Sequence, residues 1–385
     1  MRILAVEEAS VSIASNISNA YVSFSSMDVS VVRISTDVIR GGKPVVGFGF
    51  SSNGRYSAGG ILRERVIPRL QSAPADSLLD EEHKNLDPHR IWDTMMSGEK
   101  PGGHGERSVA VGVVDMAVWD VVAKVEERPL YAVLADRYGD GTPDSLVWVY
   151  AAGGYYGHGD DVTALCEELR RYLDLGYDTV KMKIGGRSLA EDLNRIEAAL
   201  GVVGTGSALC VDANGRLDQV EAEAYCVALS PYGLRWFEEV GDPLDYELNR
   251  RVCEMYDGPI ATGENLFSRQ DARNLLRYGG LRSDRDILQF DCGLSYGLVE
   301  YLRTLDQLSE YGWTRRALVP HGGHQMSLSI AAGLGLGGNE SYPEVFRPFS
   351  GFADDIPVRD GHVALPEIPG VGFESNAGLL EVLNN

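Results

Sequence analysis

Two lysines, Lys181 and Lys183, interrupt the apolar run TVKMKIGG. On an extended chain residues two apart share a face. Two ammonium groups held that close disfavour each other's charge, which lowers a lysine pKa toward the range of a general base. Three carboxylates follow, each from a further apolar run: Asp212 in ALCVDANG, Glu238 in LRWFEEVG and Glu264 in PIATGEN. Together they make a hard oxygen set suited to Mg²⁺ and unsuited to metals that prefer sulfur or imidazole. Glu239 adjoins Glu238 and points the other way on a strand, so only one of the two is a ligand; Glu238, placed after Trp236 and Phe237, is the choice. Asp291 in ILQFDCG and His321 in VPHGGHQ complete the set. A carboxylate on the strand before the histidine is placed to hydrogen-bond the ring and hold it as a proton donor. His324 reads as a loop residue supporting that site. Each residue taken alone has a bland reading, as a solvated K-x-K, a helix-capping acid or a structural histidine.

What weighs against the bland readings is the regularity of the elements that carry them. The runs WVYAAGG, TVKMKIGG, ALCVDANG, LRWFEEVG, PIATGEN, ILQFDCG and ALVPHGG begin roughly 25 to 30 residues apart, the length of one strand plus one helix. Continuous apolar runs suit strands buried on both faces, as in a parallel barrel. Six successive strand ends carry Lys181 with Lys183, Asp212 with Asn214, Glu238, Glu264, Asp291 and His321, and in a (β/α)8 barrel those ends converge on one mouth. Before the repeat, VSVVRIST and KPVVGFGF alternate like strands, and helical text follows around IWDTMM and VGVVDMAVWDVVAKV. The tail, HVALPEIPGVGF, is again strand-like. The expected fold is α/β: a modified (β/α)8 TIM barrel over 131–350, an α+β module over 1–130, and a segment over 351–385 that packs back on that module. AGLGLGGNE resembles a phosphate-binding glycine loop but follows helix-like text instead of opening a helix after a strand. No Ser or Cys sits in a nucleophile elbow.

A formal charge of -21 and a pI near 4.7 would repel a phosphate backbone, and no basic, aromatic-interleaved stretch offsets it, so nucleic acid is excluded as an expected partner. MRILAVEEASVS reads as neither a signal peptide nor a spanning segment, which makes a cytoplasmic protein without membrane contact the expectation. Five cysteines without a CxxC pair indicate neither a disulfide framework nor a cysteine zinc site.

On these residues, and on phrases such as SNGRYSAGG, EKPGGHGERSVAVG, AAGGYY, EEVGDPLDY, QFDCGLSYGL, PHGGHQMS and GLGGNESYP, the chain resembles the enolase superfamily, mandelate racemase-like group, over essentially its whole length. The resemblance implies Mg²⁺ held by Asp212, Glu238 and Glu264, Lys183 as the base, Asp291 with His321 as the acid dyad, and Lys181 steadying a substrate carboxylate. It makes the N-terminal module a capping domain that chooses the substrate through Asn19, Asn53 and Lys100, with Tyr156 from the first barrel strand. The implied activity is removal of water from a small hydroxy-dicarboxylate, D-tartrate first and a longer aldarate or aldonate second. A racemase or epimerase and a non-catalytic anion-binding barrel remain as alternatives. Barrels of this kind often self-associate, so a homo-oligomer is expected.

Overall fold

The computed structural model describes residues 1–13, 15–157 and 161–384. Its N-terminal part is a three-stranded antiparallel sheet in the order β1 (Ile3–Ser12), β2 (Asp28–Arg40), β3 (Lys43–Phe50). The stretches expected to alternate as strands fall within β2 and β3. The helix Arg107–Val125 packs on this sheet, and all its residues except Arg107 and Lys124 are buried, as its unbroken apolar text requires. Gly47 and Gly49 on β3 permit the contact: a Cβ there would lie 2.3 Å and 2.1 Å from the Ala117 and Val113 carbonyl oxygens.

A parallel sheet follows, in the order β10-β4-β5-β6-β7-β8-β9. Its strands are β4 (Val147–Ala152), β5 (Val180–Lys183), β6 (Leu209–Asp212), β7 (Trp236–Glu238), β8 (Ile260–Thr262), β9 (Ile287–Leu288) and β10 (Asn339–Ser341). Helices alternate with them, several started by a side-chain cap; Ser188 with Glu191, and Asp218 with Glu221, form complete capping boxes. The seventh expected run, ALVPHGG, is not a regular strand. It joins β9 through a single bridge, Leu288 with Leu318, and meets β10 where the Glu340 N–H donates to the Pro320 carbonyl (3.2 Å). The eighth strand, β10, comes from the glycine-rich text in which no strand was expected. Three residues between glycines and a turn are too few to show a period.

The C-terminal segment does more than return to the N-terminal module. β11 (His362–Val363) pairs antiparallel with β4, while the Val371 N–H donates to Asp120 Oδ1 (2.8 Å) on the long helix and the Phe373 ring packs on Phe50. The segment therefore ties barrel and module together. Among the described residues, no helix is long and apolar enough to cross a membrane.

Candidate active site

The register of the parallel ladder sets the site. Lys183 pairs with Asp212, and Asp212 with Glu238, on adjacent strands, so the three side chains rise at one level of the barrel. Lys183 Nζ lies 2.6 Å from Asp212 Oδ2 and 5.1 Å from the centre of the Tyr155 ring. One step deeper, the wholly buried Lys181 Nζ lies 2.6 Å from Glu340 Oε1 and 3.4 Å from Asp212 Oδ2, and contacts Glu238 Oε1 directly. The other Glu238 oxygen accepts from Trp236 Nε1 (2.8 Å) and Gln289 Nε2 (2.9 Å).

Mutual repulsion of the two lysines does not set their ionisation. Burial alone would lower both pKa values. For Lys181, the neighbouring Glu238, Glu340 and Asp212 overcome burial and hold the ammonium well above its usual range. For Lys183, Asp212 does the same. The expectation of lysines depressed toward neutrality is thus reversed, because the pull of the facing carboxylates outweighs burial and, at Lys183, the push of Lys181.

The Glu238–Glu239 pair also departs from simple alternation. β7 ends at Glu238, and Glu239 is in the left-handed region, with φ +42°. Its side chain turns toward β8, where both its oxygens accept from Asn265 Nδ2 (2.8 and 3.0 Å). The same amide nitrogen lies 3.3 Å from Glu264 Oε1. Burial, then Glu264 and Asp212, push the Glu239 carboxyl well up. Glu238 is pushed up by burial and by Asp212, against the pull of Lys181.

Opposite the lysines, His321 Nδ1 lies 2.8 Å from Asp291 Oδ2. Its Nε2 is 3.2 Å from the Tyr342 hydroxyl, 3.5 Å from Glu264 Oε2 and 3.8 Å from Glu340 Oε2. Burial opposes the imidazolium, but Glu264, Glu340 and Asp291 outweigh it and raise His321 to about 10. Glu340 thus stands between the two faces, one oxygen toward Lys181 and the other toward His321. His324, close behind, caps the helix Gln325–Leu334 by accepting from the Ser327 N–H (3.2 Å).

Six carboxylates (Asp212, Glu238, Glu239, Glu264, Asp291, Glu340) face three cations (Lys181, Lys183, His321) in this buried volume. Fully ionised, the set carries excess negative charge that a hard divalent cation offsets. Asp212, Glu238 and Glu264 could hold it, with Glu239 beside them. Among the described residues, no three His, Cys, Asp or Glu side chains already stand in a metal-holding arrangement; Lys181 and Lys183 occupy the oxygens of Asp212 and Glu238.

Glu239, Glu264, Asn214 and Asn265 form part of the wall of a cleft of about 540 Å³, to which the N-terminal module adds Asn19, Arg55 and His104. Asn19 lines the cleft, its side chain accepting from the Tyr21 and Val22 N–H groups. Asn53 is buried at the His321 loop, donating to the Gly322 carbonyl (3.3 Å). The structure does not bring Lys100 to the cleft: its side chain is exposed, and the guanidinium that reaches the wall is Arg55, bonded to Asn265 Oδ1 and stacked 5.0 Å from the Phe267 ring centre. Tyr156 is likewise turned away, its hydroxyl donating to Asp192 (2.9 Å) and accepting from the Gly186 N–H; the neighbouring Tyr155 faces Lys183. Sequence reasoning missed Glu340, Tyr155 and Arg55. A signal for Glu340 was its place after the seventh run, where an eighth strand end belongs.

The arrangement has counterparts. Arabinonate dehydratase of Saccharolobus solfataricus is 28% identical over 351 residues, covering 87% of this chain and 86% of the relative. A racemase from Streptomyces coelicolor, solved with bound magnesium, superposes with a TM-score of 0.78 over 99% of both chains at 24% identity, a likeness of fold. L-Talarate dehydratase from Polaromonas sp., solved with Mg and L-glucarate, superposes with a TM-score of 0.75 over 96% of this chain and 94% of that one, at 25% identity. The model of the family described as enolase C-terminal domain-like matches residues 164–378, more than half of the sequence, and the chain therefore belongs to the enolase superfamily.

Proposed function

We propose that the protein is a Mg²⁺-dependent acid-sugar dehydratase, with D-tartrate as substrate and oxaloacetate as product. The observation that carries this reading is the opposition of Lys183 to the Asp291–His321 dyad across a buried carboxylate cluster, which offers a base and an acid to two faces of one bound molecule. The relatives described above include two acid-sugar dehydratases, which supports the reaction class.

A carbon-bound proton beside a carboxylate is weakly acidic, because its loss adds a second negative charge to an anionic group. Mg²⁺ held by Asp212, Glu238 and Glu264 supplies electrostatic stabilisation of that charge. Asp212, once engaged as a metal ligand, would hold the Lys183 proton less tightly, leaving the amine free to act as the base. Lys181, backed by Glu340, steadies the substrate carboxylate. Lys183 takes the α-proton, the β-carbon–oxygen bond breaks, and His321 gives the departing hydroxyl a proton so that it leaves as water. The enol that remains tautomerises to the α-keto acid. Arg55, Asn19 and Asn53 are the candidates for the far carboxylate of a diacid; Lys100 and Tyr156 would need to move to join them.

Assaying D-, L- and meso-tartrate beside galactarate, arabinonate and gluconate for keto-acid release with Mg²⁺ tests the proposal. Selective turnover of D-tartrate, abolished by chelator and restored by Mg²⁺, is expected. Preference for a five- or six-carbon acid overturns the substrate but keeps the reaction, and turnover unaffected by excess chelator overturns the metal.

A further inference from the structure

The oxygen of Asp291 that receives His321 receives a second donor, from the other domain. Ser52 Oγ lies 2.6 Å from Asp291 Oδ2, the atom that also sits 2.8 Å from His321 Nδ1. The two serine and aspartate residues are 239 apart in the chain, and both are buried. Asp291 Oδ1 is taken by the Gly293 N–H (2.7 Å), so three donors fix the carboxylate about its Cβ–Cγ bond.

The surroundings leave Ser52 little freedom. Its segment leaves β3 already anchored: the Ser30 N–H donates to Ser51 Oγ (2.9 Å), and the Ser51 N–H donates to the Ser30 carbonyl (2.9 Å). One residue beyond Ser52, Asn53 is bonded to the Gly322 carbonyl. Glycines flank the hydroxyl on the barrel side. A Cβ on Gly322 would lie 2.8 Å from Ser52 Oγ, and one on Gly293 would lie 3.1 Å from Ser52 Cβ.

We infer that Ser52 is a positioning residue for the acid: the N-terminal module not only walls the cleft but also aligns the Asp291 carboxylate, and through it the His321 ring, with the bond to be broken. This rests on the dehydratase reading above. Without the hydroxyl, Asp291 keeps one backbone donor and His321, and the pair can turn together about the Asp291 side chain. Proton delivery to the leaving hydroxyl suffers, while proton removal by Lys183 on the other face does not.

The test compares Ser52→Ala, Ser52→Cys, Ser51→Ala and His321→Asn in the Mg²⁺-loaded full chain. D-Tartrate is the probe, and keto-acid release and α-proton exchange in deuterated water are both measured. Ser52→Ala should lower kcat for dehydration roughly 10- to 100-fold, as loss of an orienting partner does elsewhere, with KM and the exchange rate close to wild type. Ser52→Cys, similar in size and a weaker donor, should fall between, and Ser51→Ala, which loosens the same segment without touching Asp291, should keep the wild-type ratio of exchange to dehydration. A substrate-free readout is the His321 Nδ1 proton in the proton–nitrogen NMR spectrum: protected from solvent exchange in wild type and Ser51→Ala, and lost to fast exchange in Ser52→Ala. If His321→Asn dehydrates normally, the dyad reading itself falls. If His321→Asn blocks dehydration while Ser52→Ala matches wild type in kinetics and spectrum, the positioning role alone is overturned; so too if Ser51→Ala reproduces the Ser52→Ala pattern.

Discussion

Lys183 and His321 act on different bonds in the proposed reaction, and single substitutions should separate them. Lys183→Ala is expected to abolish both solvent exchange of the α-proton and keto-acid release, since Lys183 is the nearer amine to Asp212 (2.6 Å) and Lys181, 3.4 Å from the same oxygen, is wholly buried and held by Glu238 and Glu340. His321→Asn should block release by 10²-fold or more, within the usual range for a lost general acid of roughly 10²–10⁴, and leave exchange detectable. Exchange surviving in Lys183→Ala would move the base to Lys181. These residues were legible in the sequence because a titratable side chain recurred at each strand end with the period of a β/α unit, a signal that needs no side-chain geometry. Glu340 was not legible from periodicity: a three-residue strand between glycines and a turn carries no period, and its text mimics a phosphate loop. Nor was the direction of Glu239, since the rule of alternation stops where the strand stops, and only the backbone reveals the φ of +42°. The swaps of Arg55 for Lys100 and Tyr155 for Tyr156 have the same root. Both concern loops, whose side-chain directions follow from tertiary contacts and not from spacing.

At the scale of elements, the loop carrying Asp291 is clasped by the N-terminal module. The Tyr296 N–H donates to the Ser108 carbonyl (3.2 Å), Trp92 Nε1 donates to the Tyr296 carbonyl (2.9 Å), and Asp115 Oδ2 accepts from the Leu298 N–H (2.5 Å), the first residue of the helix Leu298–Leu308. A carboxylate at a helix N-terminus is ordinarily favoured. Here burial dominates and pushes the Asp115 carboxyl up to about 8 from 3.8, against the pull of the Leu298 and Val299 N–H groups. Between 3.8 and about 8 the folded chain holds a proton that the unfolded chain has released, so stability from this group falls as pH rises through that window, by about 1.4 kcal/mol per unit at most. Asp115→Asn keeps an oxygen acceptor without the titration. Urea unfolding at pH 5 and pH 8 should therefore show the variant gaining on wild type as pH rises. A difference that is the same at both pH values would mean that Asp115 is ionised in the fold, and that the clasp is a charged cap.

On the scale of the whole molecule, module, barrel and tail fold as interlocked parts, and a buried charge imbalance lies at their centre. Removal of 351–385 would delete Val363, Val371, Phe373, Leu379 and Leu383, all buried in the intact chain, and bare the surfaces they cover, such as the Phe50 ring; at about 1.5–3 kcal/mol per side chain the loss rivals the entire stability of a typical domain, about 5–15 kcal/mol. The truncated chain should show no cooperative unfolding transition. The imbalance yields a second prediction, about the cation itself. Six carboxylates against three cations are tolerable in the metal-free protein because Glu238 and Glu239 are pushed toward their protonated forms. Metal ligands must be deprotonated to bind, so uptake of Mg²⁺ should release protons, and the number released should fall as pH rises through the range in which these groups ionise. Calorimetric titration of Mg²⁺ in two buffers of different ionisation enthalpy measures that number directly. The same binding, exclusive to the folded chain, should stabilise it by about 2.7 kcal/mol at a hundredfold excess over Kd, and more readily in mildly alkaline than in mildly acidic solution, since fewer protons then compete. Binding without proton release at pH 6 would show the carboxylates already ionised, so that the metal-free site carries its excess negative charge against Lys181, Lys183 and His321. Absence of any Mg²⁺-dependent rise in Tm would remove the cation from the proposal altogether.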